Sequence, residues 1–211
     1  MILRIIVIII CIAVRSYSAA ADSYDDLLNS IKRNDIPEAE SLFAKGMDVN
    51  TADSDANTLL MLAVRENHMD LARRLLDRKA KVGARNRHGE TALMLAAAGG
   101  NLEMVKLLVE RGAGINVSGW NPLIYAAWQG KTEVVRYLLK KGADIDAVSS
   151  SGISALMMAA RGGHFETVKL LLWEVADPNI KSATGGTALA WALNAGNTDI
   201  AGLLKQAGAK E

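Results

Sequence analysis

The sequence is poor in cysteine and proline and carries almost no net charge. Its one cysteine, Cys11, lies in an apolar run near the N-terminus. The rest of the chain therefore has no residue for a disulfide or a thiolate metal site. Only 3 prolines are present, while Ala, Leu and Val are abundant, which favours helices over a β-sandwich or barrel. The 24 basic and 23 acidic residues nearly cancel, so we expect no nucleic acid partner.

Residues 1–21 have the three parts of a secretory signal peptide. Residues 1–4 form a short basic segment, Ile5–Val14 is an apolar run of ten residues, and polar and small residues follow up to Ala21. We predict cleavage after Ala21 or after Ala20, with an uncleaved anchor as the alternative. The run is shorter than the about 20 residues that a bilayer span needs. We therefore expect a periplasmic or secreted mature chain with no stable membrane span.

A six-residue pattern occurs five times along the rest of the chain. Each copy begins with a polar residue and continues with small and apolar ones; the first residues are Thr58, Thr91, Asn121, Ser154 and Thr187. The offsets between them are 33, 30, 33 and 33, and a fixed period of this size indicates a solenoid of stacked units. The offset of 30 predicts a three-residue deletion, and hence a short loop, around Ser118 and Gly119.

Each unit is predicted to contain two helices. The polar residue caps the first helix, and a Gly or Asn ends it, at Asn67, Gly100, Gly130, Gly163 and Gly196. An amphipathic second helix follows. Gly ends this second helix in most units, but Lys79 and Val175 hold that position in two of them. Because a β-branched residue fits poorly where φ is positive, we expect the fifth unit to differ locally at Val175.

The repeated unit resembles the ankyrin repeat. Residues 89–97 match the opening motif of that family, and residues 141–146 match the turn after its second helix. The resemblance covers residues 24–209 and implies an all-α solenoid of helix-turn-helix units with projecting β-hairpin loops. It divides the domain, 22–211, into units at about 24–52, 53–85, 86–118, 119–148, 149–181 and 182–211. We expect the first and last units to act as polar caps.

The resemblance also implies where a partner protein would bind. In ankyrin-like stacks the contact positions are the tips of the hairpin loops and the ends of the first helices. Twelve predicted contact residues are Arg65, Glu66, Arg87, His88, Glu90, Trp120, Trp128, Gln129, Ser150, Ser151, Ile153 and Arg161. Trp and Arg are enriched in binding hot spots.

We expect the partner to dock over units three to five, with Trp128 and Arg161 stacked on each other. Packing between repeats is the alternative role for Trp120 and Trp128. Tyr125 and Trp191 align with Leu62 and Leu95 and are predicted to lie in the core.

No arrangement of residues predicts catalysis, a metal site or a cofactor. His68 and His164 hold equivalent turn positions, and the Gly pairs lack the pattern and the Lys of a phosphate-binding loop. We therefore expect a non-catalytic, monomeric module that binds another protein. The chain resembles small bacterial ankyrin proteins with a signal sequence, some of which are associated with periplasmic oxidative-stress defence. This resemblance implies support of a stress-defence enzyme; an immunity protein that neutralises an exported toxin and a secreted effector are the alternatives.

Overall fold

The protein is all-α, as predicted. The computed structural model describes residues 23–210, and the predicted signal peptide lies outside the described residues. Twelve helices occur in the described range: 23–32 (α1), Ile36–Ala44 (α2), Leu59–Arg65 (α3), Met69–Asp77 (α4), Ala92–Gly99 (α5), Leu102–Glu110 (α6), Pro122–Trp128 (α7), Thr132–Lys140 (α8), Ala155–Arg161 (α9), Phe165–Trp173 (α10), Ala188–Asn194 (α11) and Thr198–Gln206 (α12). None of these helices has both the length and the apolar character that crossing a membrane requires.

The chain forms two compact units, one up to Ala80 and one from Lys81 onward. The described part of the first unit holds α1 to α4. Leu27 and Ile31 of α1 are fully buried. The carbonyl oxygen of Ile31 lies 3.1 Å from Nδ1 of His68, at the start of α4. The degenerate first repeat is therefore packed and hydrogen-bonded as part of this unit.

The second unit, which is described for residues 81–210, has two rows of helices. The first helices of successive repeats, α5, α7, α9 and α11, contact one another in order, and so do α6, α8, α10 and α12. Alanines lie at the contacts of the first row, and Ala97, Ala126, Ala127 and Ala160 are fully buried. Their small side chains let the backbones approach closely, and burial between neighbouring repeats supplies most of the stability.

The five predicted caps are present, at the first helices α3, α5, α7, α9 and α11. The side chain of Thr91 accepts a hydrogen bond from the N–H of Met94, and Asn121 accepts one from Ile124. The equivalent caps are Thr58, Ser154 and Thr187. Each cap satisfies one N–H that has no partner within the helix.

The turn after each helix uses the left-handed backbone region. The five predicted ends of the first helices all have φ between 60° and 78°. Val175 also adopts a φ of 67°, the same value as that of Lys79. The expectation that the fifth repeat differs at this position is therefore wrong. The N–H of Ala176 still closes the turn on the carbonyl of Leu171 at 3.0 Å, as Ala143 does on Leu138 at 2.9 Å. These bonds and the burial of Ala176 hold the turn against the preference of valine.

A short loop, which we call a finger, precedes each first helix from α3 onward. In the second unit the fingers are residues 85–90, 118–120, 148–153 and 181–186. The long ones are closed by backbone bonds such as Asn86 N–H to the Glu90 carbonyl, at 3.0 Å, and Ser149 N–H to the Ile153 carbonyl, also at 3.0 Å. Eleven residues, 111–121, join α6 to α7, against fourteen, 141–154, between α8 and α9. The third finger of the chain is short, as predicted.

Replacement of Val175 by glycine should stabilise the protein. The valine side chain is 81% exposed, so its removal forfeits little burial and relieves the backbone strain. An L-residue in this region costs about 1–2 kcal/mol, and we expect a gain of about 1 kcal/mol after the extra chain entropy of glycine. Urea unfolding followed by circular dichroism measures it.

The control is the reverse change, Gly142→Val, at the equivalent turn two helices earlier. A Cβ there meets nothing within 4 Å, so any loss of stability is conformational. Equal stability of the wild type and Val175→Gly would contradict the presence of backbone strain at Val175.

Candidate partner-binding surface

Four of the predicted contact residues line one cavity of the second unit. Trp120, Trp128, Ile153 and Arg161 enclose about 330 Å³ together with Met158 and Gly162. The residues come from the third and fourth fingers of the chain and from the C-terminal ends of α7 and α9. Trp128 is 44% exposed, so the cavity opens to solvent beside a large apolar side chain.

Three aromatic rings form a cluster at this cavity. The ring centroids of Trp120 and Trp128 are 5.9 Å apart, and Tyr125 lies 5.5 Å from Trp120 and 6.3 Å from Trp128. All three pairs meet edge to face, which is a favoured geometry for aromatic pairs. Tyr125 was predicted to be core, but it is only partly buried. A tyrosine is longer than the Leu95 with which it aligns, and its hydroxyl reaches the finger before it.

Glu90 fixes the tyrosine of this cluster. The hydroxyl of Tyr125 donates a hydrogen bond to Oε1 of Glu90 at 3.0 Å, and Nδ2 of Asn86 donates to Oε2 at 2.8 Å. Burial of the ring, and then the hydrogen bond to the carboxylate and its charge, raise the pKa of Tyr125 to about 12. Glu90 therefore serves as a positioning group, with both carboxylate oxygens engaged.

Arg161 stacks on a different tryptophan from the one expected. Its guanidinium carbon lies 5.7 Å from the centre of the Trp191 ring, so the predicted stacking of Trp128 on Arg161 is wrong. Trp191 is also partly exposed and not core. These two residues line a second cavity, of about 500 Å³, with Asn194 and Ala195. The side chain of Trp191 packs beside Gly186 of the last finger, where an added Cβ would lie 2.5 Å from Nε1.

Side chains from the following repeat anchor the backbone of two predicted contact residues, Trp128 and Arg161. Nε2 of His164 lies 2.8 Å from the carbonyl oxygen of Trp128. Nδ2 of Asn197 donates to the carbonyl of Arg161 at 3.2 Å. The imidazole of His164 also lies over Gly130, where a Cβ would come within 2.4 Å of Nδ1. Because φ at Gly130 is 63° as well, both the turn and the close approach require glycine there.

Models of ankyrin repeats match most of the chain. The single-repeat model, "Ankyrin repeat", matches residues 55–87, and the model "Ankyrin repeats (3 copies)" matches 78–149 and 144–211. The chain belongs to the ankyrin-repeat family. A search of curated proteins gave no match. Ankyrin repeats imply a protein–protein interaction module, and proteins of this family are generally non-catalytic.

The other predicted contact residues are not among those that line the two cavities. Gln129 is exposed beside Trp128, Arg87 and His88 are exposed on the finger before the aromatic cluster, and Ser150 and Ser151 are exposed on the next long finger. The carbonyl of Ser151 accepts a hydrogen bond from Ala183 N–H at 2.8 Å, which joins two fingers. Arg65 and Glu66 are exposed at the end of α3 in the first compact unit.

Tyr125 and Trp191 of the ankyrin repeats were predicted to be core, although the sequence held a signal that both rings reach the surface. Tyr125, Met158 and Trp191 follow one another at intervals of 33 residues, so they hold one position of the repeat. Leu95 holds the same position in an earlier repeat, and its smaller side chain is already only partly buried. A larger ring there must extend beyond the core and reach the surface.

Trp173 is exposed, as Trp128 is, and it lies on α10, the second helix of its repeat, as predicted. It is 83% exposed. It lines a shallow cavity of about 250 Å³ with residues that include Arg136 and Lys169. This position makes it a matched control for substitutions at Trp128.

The ionisation of Tyr125 should report the bond to Glu90. Since the folded pKa of about 12 exceeds the ordinary 10.0, the protonated ring adds stability that is complete below pH 10 and is lost as pH rises through 12. We expect the wild-type minus Tyr125→Phe difference in absorbance at 295 nm to titrate well above pH 10.

Glu90→Gln should lower this midpoint because it removes the negative charge. Circular dichroism at each pH confirms that the protein remains folded. A difference titration centred near pH 10 in the wild type would contradict the geometry.

Proposed function

We propose that this chain is an exported, non-catalytic module that binds another protein through the surface formed by Trp120, Trp128, Ile153 and Arg161. The observation that carries the proposal is the open, aromatic-lined cavity at the C-terminal ends of α7 and α9. Tryptophan and arginine are the side chains that most often dominate binding energy when they are central to an interface.

The aromatic cluster supports a role in recognition because it is held in place before any partner arrives. Edge-to-face packing fixes the three rings, Glu90 fixes Tyr125, and His164 holds the backbone at Trp128. A rigid aromatic surface loses little conformational freedom on binding, so more of the contact energy appears as affinity.

Export rests on residues 1–21, whose basic start, apolar run and small residues before Asp22 have the pattern of a cleaved signal peptide. The proposed compartment is the periplasm or the exterior of a bacterial cell. The proposed partner is a stress-defence enzyme of that compartment, by resemblance to signal-bearing bacterial ankyrin proteins.

Trp128→Ala and Arg161→Ala should each abolish or strongly weaken capture of the partner. Loss of a central hot-spot side chain costs about 2 kcal/mol or more, which is about a 30-fold rise in Kd. The measurement is affinity capture from a periplasmic extract, followed by mass spectrometry and then titration of the captured protein.

Trp173→Ala is the control for this experiment, since it removes an exposed tryptophan from the other row of helices. It should leave capture unchanged, and all three variants should keep the helical spectrum. Undiminished capture by both Trp128→Ala and Arg161→Ala would show that the partner binds elsewhere.

Export has its own test. Expression of the full chain in a Gram-negative host should place the protein in the osmotic-shock fraction or the medium, with an N-terminus at Asp22 or Ala21. N-terminal sequencing of the purified protein reads this directly. Retention in the cytoplasm with Met1 intact would refute the export part of the proposal without affecting the binding surface.

A further inference from the structure

Acidic side chains of the second compact unit are concentrated away from the candidate surface. Among residues 81–210, the second helices and the turns after them carry Glu103, Glu110, Glu133, Asp144, Asp146, Glu166, Glu174, Asp177 and Asp199. Glu90 is the one acidic residue on the first helices and fingers of this range. Both of its carboxylate oxygens are already hydrogen-bonded within the protein.

Basic side chains are not restricted in this way, since they occur on the second helices and also on the fingers and first helices. In residues 81–210 the fingers carry exposed Arg85, Arg87 and Lys181, and α9 ends in exposed Arg161. The fingers and first helices of this range therefore carry four basic residues and one acidic residue, Glu90, which is already hydrogen-bonded. The surface is basic although the chain as a whole is nearly neutral, so it favours a partner segment of negative charge.

Arg161 is the cation best placed to pair with a ligand. It forms no ion pair within the described residues, and its guanidinium contacts the ring of Trp191. A guanidinium held against an aromatic face keeps its donors directed outward, and it binds a carboxylate through two parallel hydrogen bonds.

The two cavities adjoin this guanidinium, since Arg161 lines both. Trp120, Ile153 and Met158 give the first cavity an apolar wall. Asn194 gives the second cavity an exposed amide, which can donate to and accept from a peptide backbone. A partner that fills both must therefore combine an apolar side chain with a neighbouring carboxylate.

Resting on the binding role proposed above, we propose that the partner presents an extended acidic segment to this surface. An apolar side chain enters the cavity between Trp120, Trp128 and Ile153, and a neighbouring Asp or Glu pairs with Arg161. A single-stranded nucleic acid also carries negative charge and stacks on aromatic rings. It fits less well because the rings of Trp120, Tyr125 and Trp128 pack against one another and do not stand as separate stacking platforms.

The test selects random twelve-residue peptides, displayed on phage, against the protein purified after expression of the full chain. The wild type should enrich peptides in which Asp or Glu adjoins Leu, Ile, Phe or Trp. Arg161→Glu should lose this enrichment of Asp and Glu beside the apolar residue. A peptide selected on the wild type should bind Arg161→Glu about 10- to 100-fold more weakly, as expected for loss of a charged hydrogen-bonded pair.

Lys140→Glu is the matched control, because it makes the same change of charge at an exposed position of α8. It should leave both the selected sequences and their Kd unchanged. Neutral or basic peptides from the wild type, no selected peptide at all, or the same acidic peptides from Arg161→Glu would each overturn the inference. Tighter binding of a fluorescent 20-residue oligothymidylate than of the selected peptide would overturn it in favour of nucleic acid.

The peptide selection tests the acidic segment separately from the proposed binding role. Trp128-dependent capture of a cellular protein together with a neutral peptide pool would leave the role intact and refute the acidic segment. An acidic peptide pool whose binding is lost in Trp128→Ala would support the segment even where no cellular protein is captured.

Discussion

The close approach of the first helices is the constraint on which the second unit depends. Pairs of alanines such as Ala126 and Ala127 are fully buried between neighbouring helices. Any larger side chain there would separate the repeats and open voids along the whole row, because protein interiors are packed to crystal-like density. The left-handed turns follow from the same requirement, since the chain must reverse within three residues to bring the second helix of each repeat against the first.

This spacing also creates the candidate surface. Residues 33 positions apart become neighbours across adjacent repeats, so a short list of repeat positions decides the whole surface. One position holds Trp128, Arg161 and Asn194, and another holds Tyr125, Met158 and Trp191. A third position, the last residue of the finger, holds Glu90, Trp120 and Ile153, although the short finger reduces one interval to 30. Neither cavity belongs to a single repeat.

Much of the fold could be predicted because its signals are local. A capping residue such as Asn121 and a turn glycine such as Gly130 act on their own backbone, and the period multiplies each signal. Val175 shows the limit of this reasoning. The local preference of valine opposed the turn, but hydrogen bonds and the burial of Ala176 outweighed it. Repetition of the fold is therefore stronger evidence than the propensity of one residue.

The candidate surface was only partly predictable, for a different reason. That Trp120, Trp128, Ile153 and Arg161 share one face follows from the repeat. Which of them touch depends on rotamers and on the stagger between helices, which no period encodes. Arg161 therefore met Trp191 of the following repeat instead of Trp128 of the preceding one. The bond from Tyr125 to Glu90 likewise depends on the reach of a side chain across two repeats.

The anchoring of the contact residues has a consequence for protein engineering. His164 binds the carbonyl of Trp128, and Asn197 binds that of Arg161, so each contact residue is held by a side chain of the repeat that follows it. A repeat grafted alone into another scaffold would carry its tryptophan or arginine but leave this support behind. The smallest portable element of this surface is a pair of consecutive repeats, and their order along the chain cannot be exchanged.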